Sequence, residues 1–287
     1  VAPPAPIEYK DHNDTTDAAN PQAKNGGTRE GRLPSRIMAD NLLMSEMTWT
    51  EVEEALKDRP IALLPVGTTE AHGSHLPVTT DTIIAVEMAR RGVAKLKERG
   101  LNAVIAPPVT FSVSELGASF PGTLSLPSET AVALVRDVCL ALSKSFRAIG
   151  LVNVNQEPAH LAALKKAGEE ASKAGASVCF TDLAKKRWVD QLGEAFVAGD
   201  HGGSFETSLM MACAADRVRE KERISLPPID GLAAALKKGA KTFAEAGGED
   251  AYFGDPTAAS VEEGEALFEA LAEILALSVA EHVGSKA

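Results

Sequence analysis

The feature that most limits what this chain can fold into is a repeated alternation of short apolar runs with longer amphipathic stretches. IALLPV (61–66), NAVIAPPV (102–109), GLVNV (150–154) and ASVCFTD (176–182) read as strands. Between them, TIIAVEMARRGVAKLKERG (82–100), ETAVALVRDVCLALSKSF (129–146) and PAHLAALKKAGEEASKA (158–174) carry helical spacing. A strand that is apolar at nearly every position must be covered on both faces, which is the condition of a parallel sheet with helices on either side. The pattern therefore predicts an α/β fold, a three-layer α/β/α arrangement with a mostly parallel central sheet. Upstream, Thr48 and Glu51 have the spacing of a capping box and open a further helical stretch, EVEEALKD (51–58).

A chain of 287 residues with 45% hydrophobic content can bury one full core. Residues 37–287 are expected to form a single domain. Residues 1–36 are rich in Pro, Asn, Gly and charge and poor in large apolar side chains, so they are expected to be a disordered N-terminal tail. The net charge of -11, without a concentrated basic stripe, argues against nucleic acid and against an anionic membrane surface. A small-molecule or peptide substrate fits that charge better. Cys139, Cys179 and Cys213 lie far apart in apolar stretches with no CxxC, and read as reduced core residues of a cytoplasmic protein. No apolar run reaches the ~20 residues of a membrane span, and the N-terminus lacks a secretory pattern.

In such sheets ligands sit at the carboxyl ends of strands. The first strand runs into TTEAHGSHLPVTTD (68–81), which places Glu70, His72, His75 and Asp81 within twelve positions. Glu70 and His72, two apart, point to one side if the chain stays extended. Asp81, at the start of the next helical pattern, can reach back into the same space, and an aspartate there can cap the helix as well. Asn155, Glu157 and His160 follow the third strand. Glu157 and His160, three apart, could share a cation, although His160 reads better as a packing residue. A third segment, GDHGGSFETS (199–208), sets His201 beside two glycines that permit close approach of a substrate to the backbone, with Glu206 at a helix start.

Taken together, these segments resemble the creatininase family of metal-dependent amidohydrolases. PVGTTEAHGSHLPVTTD is similar to that family's first metal loop, FPGTLSL (120–126) to its FPGT turn, HGGSFETS to its HAGxxETS signature, and GDPTAASVEEGEAL (254–267) to its closing helix motif. The matching order spans residues 40–285, and the EPAH and DLAKKRWVDQL segments resemble an uncharacterised branch. The resemblance implies a two-cation centre of zinc or manganese, with iron a third option. Glu70, His72 and Asp81 would be its ligands, Asp81 would bridge, and Glu157 would be the second loop's carboxylate. It further implies that His201 handles the proton of the opened amide, that Glu206 stands beside it, and that the chain forms a homo-oligomer, often a hexamer.

One position departs from the pattern. Asn153-Val154-Asn155 stands where the family carries a triplet ending in histidine, so Asn155 offers a neutral amide oxygen and one of the two sites is expected to be weakened. The function implied is hydrolysis of a C–N bond in an amide, non-peptide and cyclic in the first instance, by a metal-activated water. Glu157 or Glu206 would take the water's proton and His201 would serve the leaving nitrogen. His75 and Ser114 are candidates to line a small-molecule pocket, and Trp188 reads as a core residue. Two other readings stay open: a peptidase-like maturase or deformylase, and a metal-poor, non-catalytic relative that binds a ligand or supports an assembly.

Overall fold

The computed structural model describes residues 43–284, which lie within one compact unit. The tail expected over residues 1–36 is outside them. Helix α1 (Trp49–Leu56) opens on the expected capping box: the Thr48 hydroxyl accepts from the Glu51 backbone, and the Glu51 carboxylate accepts from the Thr48 N–H at 2.7 Å. Then follow β1 (Ile61–Pro65), α2 (Thr80–Glu98), β2 (Ala103–Ile105), α3 (Ser128–Ser143), β3 (Ile149–Val152), α4 (Pro158–Lys173) and β4 (Val178–Phe180). The strands are shorter than the apolar runs that predict them. Pro107 and Pro108, which have no N–H to offer a ladder, lie just beyond the end of β2.

The four strands form one parallel sheet in the order β2-β1-β3-β4. Chain order reverses between β1 and β3, which makes their carboxyl ends the crevice where such sheets take ligands. Alternate side chains divide the sheet between two cores. Ile61, Leu63, Ile105 and Val152 pack on α2 and on the C-terminal helix, while Ala62, Leu64, Val104 and Leu151 pack on α3 and α4. The fold is therefore the expected three-layer α/β/α arrangement.

Much of the rest of the chain builds onto the α2 side of the sheet, while Leu116, Leu232, Phe243 and Phe253 form a separate small cluster. After α5 (Lys186–Ala198) come α6 (Ser204–Ala214), the short α7 (Glu220–Arg223) and α8 (Leu232–Lys237), and α9 (Val261–His282), which crosses α2 and α6. Arg91 and Lys95 on α2 and Arg99 at its C-terminal cap pair with Glu265, Glu269 and Glu273 on α9, a ladder set by the four-residue spacing on both sides. Ser260 caps α9 by accepting from the Glu263 N–H, and its own N–H donates to Ser208 Oγ on α6. The closing helix motif thus holds the helix that carries Glu206. Trp188 is buried in the α2/α9 core, as are Cys179 there and Cys139 in the opposite one. No described helix is long and apolar enough to cross a membrane.

Candidate metal centre

The loop from β1 to α2 is clamped at several points, so its side chains are placed by the fold. Thr69 Oγ1 donates to the Thr110 carbonyl at 2.8 Å, the Ala71 N–H donates to Thr123 Oγ1 at 3.0 Å, and the Leu124 N–H returns to the Thr69 carbonyl at 2.8 Å. The FPGT turn is therefore a clasp on the loop. A side chain at Gly67 would meet the Thr82 backbone nitrogen at 2.5 Å, so glycine lets α2 begin directly against the strand end. Asp81 lies in the first turn of α2, where Thr79 holds the cap position, and it turns inward with 1% exposure.

Glu70, His72, Asp81, His201 and Glu206 converge in this buried space. The His72 ring is fixed by its Nδ1, which donates to the Glu70 carbonyl at 3.1 Å and leaves the Nε2 lone pair facing the carboxylates. Nε2 lies 3.5 Å from Asp81 Oδ1 and 3.4 Å from Glu206 Oε2. Bonds of about 2.1 Å to a tetrahedral ion would set their donor atoms about 3.4 Å apart, so the spacing suits one. His72 Nε2 and Asp81 Oδ1 have no hydrogen-bond partner although both are buried. Two groups among the described residues bring three donor atoms within 4.8 Å of one another: His72 with Asp81 and Glu206, and His72 with Glu70 and His201.

His201 is fixed in the mirrored sense. Its Nε2 donates to the Ala71 carbonyl at 2.9 Å, and Nδ1, the free lone pair, lies 3.9 Å from Glu70 Oε1. The ring lies between His72 and Phe243, with centroids at 4.3 and 4.1 Å. The two glycines after His201 serve the chain itself. A side chain at Gly203 would meet Asp200 Oδ2 at 2.2 Å and the Phe253 carbonyl at 2.5 Å. The expected approach of a substrate there is replaced by the chain's own contacts. Asp200, which no motif marks, accepts from the backbone of Gly203 at 3.1 Å and Phe205 at 3.2 Å and so anchors the start of α6.

Asn155 and Glu157 sit beside these groups with their atoms otherwise engaged. The Glu157 N–H donates to Asn155 Oδ1 at 2.7 Å, so the Asn155 amide turns its NH2 toward Glu70 Oε1 (2.8 Å) and Asp81 Oδ2 (3.0 Å). This is the reverse of the orientation a ligand oxygen needs. Glu157 Oε1 accepts from the Glu115 N–H at 2.8 Å, Oε2 has no partner, and the carboxylate lies outside both three-atom groups. His160 does not share a cation with it. It is buried between Ser112 Oγ (2.8 Å) and Asn153 Oδ1 (2.9 Å), and Asn153 in turn bonds both backbone groups of Asn155.

Charge explains how these groups titrate. Burial pulls the His72 imidazole down, yet Asp81, Glu206 and Glu70 together push it up to about 10. Burial opposes ionisation of Asp81 too, but His72 holds it below the usual carboxylate range. Glu70 is raised by burial and by the Asp81 charge, and burial pushes Glu206 and Glu157 each up to about 7. His201 is pushed down to about 3 by burial and then by His72. A cluster that holds a proton so tightly on an imidazole is one that calls for positive charge.

A cavity of about 180 Å³ opens on the site, with Glu157, His201 and Glu206 on its polar side and Phe196, Leu232 and Phe243 on its apolar side. His75 and Ser114 are not among its lining residues. Ser114 Oγ donates to Glu70 Oε2, and His75 Nε2 pairs with Thr207 Oγ1 at 2.9 Å beneath the site.

Residues 45–279 match the family profile described as creatinine amidohydrolase. The chain belongs to the creatininase family. It is 31% identical to the mycofactocin precursor peptide peptidase of Mycolicibacterium smegmatis, over 73% of this chain and 80% of that protein. It is 29% identical to the creatinine amidohydrolase of Pseudomonas putida, over 67% of this chain and 79% of that one. Among solved structures, a manganese creatininase superposes with a TM-score of 0.68 at 23% identity, covering 84% of this chain and 98% of its own. That likeness concerns the fold. Family membership makes the chain one of a set of metal-dependent hydrolases.

Proposed function

We propose that the protein hydrolyses the C–N bond of a small amide with the help of a divalent cation held by His72, Asp81 and Glu206. The observation that carries this reading is that Asp81 Oδ1 and Glu206 Oε2 each stand at a tetrahedral edge length from His72 Nε2, all three buried and two of them without a hydrogen bond. Both histidines that face the space spend their other ring nitrogen on a backbone carbonyl, the arrangement that orients an imidazole as a ligand or a base. A bound zinc or manganese ion supplies Lewis acidity, lowering the pKa of water and polarising a carbonyl.

The chain's own residues supply the proton chemistry. Glu157, raised by burial to about 7, is poised to accept the proton of the attacking water through its unpartnered Oε2. His201 is held neutral with Nδ1 turned to the site, so that atom can accept a hydrogen bond from the leaving nitrogen's N–H and orient it, while the proton taken up by Glu157 is the one returned to that nitrogen. Phe243 stacks on its ring and keeps it in that plane. The cavity is smaller than the ~300–1,000 Å³ of drug-sized sites, so the reacting part of the substrate is small, in keeping with a cyclic, non-peptide amide.

A second reading, cleavage at the end of a short peptide, is supported by the peptidase name of a relative that matches most of the chain. Initial rates on a panel of lactams, formamides and short peptides, with zinc-loaded, manganese-loaded and chelator-treated protein, test both. Turnover of lactams that the chelator abolishes is expected, turnover of peptides alone would favour the second reading, and chelator-resistant turnover would sink the metal mechanism. With this chemistry we also propose a cytoplasmic homo-oligomer, which light scattering after size exclusion would check.

A further inference from the structure

We infer that the side-chain amide of Asn155 stands in the place of a second cation, so that each chain holds one divalent ion and Asp81 binds it from one side without bridging. The inference deepens the hydrolase reading and rests on it. Its first support is the direction of the amide. The Glu157 N–H donates to Oδ1 at 2.7 Å, and flipping the amide would set N–H against NH2 there while turning an oxygen onto two carboxylates. The nitrogen therefore sits between Glu70 Oε1 and Asp81 Oδ2, at 2.8 and 3.0 Å, with one hydrogen for each. A bridging ion would need those same two oxygens.

The second support is that the surroundings complete this arrangement with neutral donors. Thr68 Oγ1 donates to Asp81 Oδ2 and Ser114 Oγ donates to Glu70 Oε2. The Asn155 backbone is held by the Asn153 side chain, which His160 braces, and its side-chain amide is tied by the Glu157 N–H at Oδ1. Glu70 Oε1 and Oε2, Asp81 Oδ2 and Asn155 Oδ1 thus each have a partner on this side.

The opposite side behaves differently. Asp81 Oδ1 and His72 Nε2 face each other, 0–1% exposed and without hydrogen bonds, 3.5 Å apart. Both three-atom groups that could hold an ion include His72, whose Nδ1 is spent on the Glu70 carbonyl and whose Nε2 lies 3.9 Å from Glu70 Oε1 as well as near Asp81 and Glu206. A single imidazole lone pair serves one ion at a time, so an ion bound to His72 takes either the Asp81 and Glu206 pair or the Glu70 and His201 pair, not both together. A neutral amide in the second position also leaves less positive charge at the site than two cations would, which should favour a substrate that does not carry strong negative charge.

The test is a metal count on the full-length protein, saturated separately with zinc and with manganese, by elemental mass spectrometry, with electron paramagnetic resonance of the manganese form. The wild type should bind about one ion per chain and show an isolated manganese signal, and Asn155→His should rise to about two with an exchange-coupled signal. Two ions in the wild type would overturn the inference and leave the hydrolase reading intact. No ion in the wild type would overturn both. A folded Asn155→His protein that stays at one ion would show that Asn155 is not what closes the second position. Should that variant fail to fold, Asn155→Asp, which restores an anionic oxygen at the same reach, is expected to make the same gain, and the wild-type count decides the inference by itself.

Discussion

The loop after β1 and the loop after β3 end side by side at the crevice of the sheet, and they treat their polar atoms in opposite ways. After β1, the chain buries His72 Nε2 and Asp81 Oδ1 3.5 Å apart and gives neither a hydrogen bond. After β3, Asn153, Asn155 and His160, with Ser112 from the segment after β2, form a circuit in which each side chain is bonded to the next or to backbone. A buried polar atom without a partner costs about 1–3 kcal/mol, and a buried charge costs more. The first loop thus leaves open atoms where a positive charge from outside would fit, whereas on the second side the Asn153–Asn155–His160 circuit is closed and only Glu157 Oε2 is left open. Binding competence and structural support have been divided between two neighbouring strand ends.

Substitutions can break or sharpen that division. The largest effect is expected on the incomplete side: Asp81→Ala should remove the ion and lower turnover by on the order of 10³-fold or more, read by elemental analysis beside initial rates. An intermediate case is Glu157→Gln, which should cut kcat by ~10²–10⁴-fold while metal content stays at the wild-type level. Loss of metal together with rate would move Glu157 from proton transfer to ligation. On the complete side, His160→Ala should cost stability first, about 2 kcal/mol or more, because it empties a buried volume and strips Ser112 of a partner. Its thermal midpoint should fall by ~4–8 °C with the metal count unchanged. Far from both loops, Lys95→Ala in the α2–α9 ladder should shift stability by no more than about 0.5 kcal/mol in urea titration, since Glu269 is largely exposed.

The layers and the parallel sheet were legible from sequence because each rests on a local period that the tertiary structure had no reason to override. The capping box at Thr48 and Glu51 is of the same kind, since its partners are three residues apart. Within the site, Glu70, His72 and Asp81 were legible from their crowding in one loop. Glu206 was visible as a residue, but expected as a proton acceptor; its distance of 3.4 Å from His72 Nε2 puts it among the donor atoms. Asp200 could have been found from the aspartate that precedes a glycine-rich helix start. Phe243 could not, because nothing in its neighbourhood in sequence relates it to the His201 ring it stacks on. His75 and Ser114 were expected at the pocket wall and instead lie behind it, bonded to Thr207 and Glu70.

What the chain determined by itself is the set of strands and helices, the end of the sheet at which polar residues gather, and the kind of chemistry those residues can do. Periodicity and residue type are local properties, and they survive in any packing that buries the apolar faces. The tertiary structure decided the direction in which each polar group is used. Whether Asn155 offers oxygen or nitrogen depends on the Glu157 N–H, and whether His72 and His201 offer Nε2 or Nδ1 depends on the carbonyls of Glu70 and Ala71. Hydrogen bonding is directional and short in range, so the role of an amide or an imidazole is settled only when the fold brings a donor or an acceptor to one end of it.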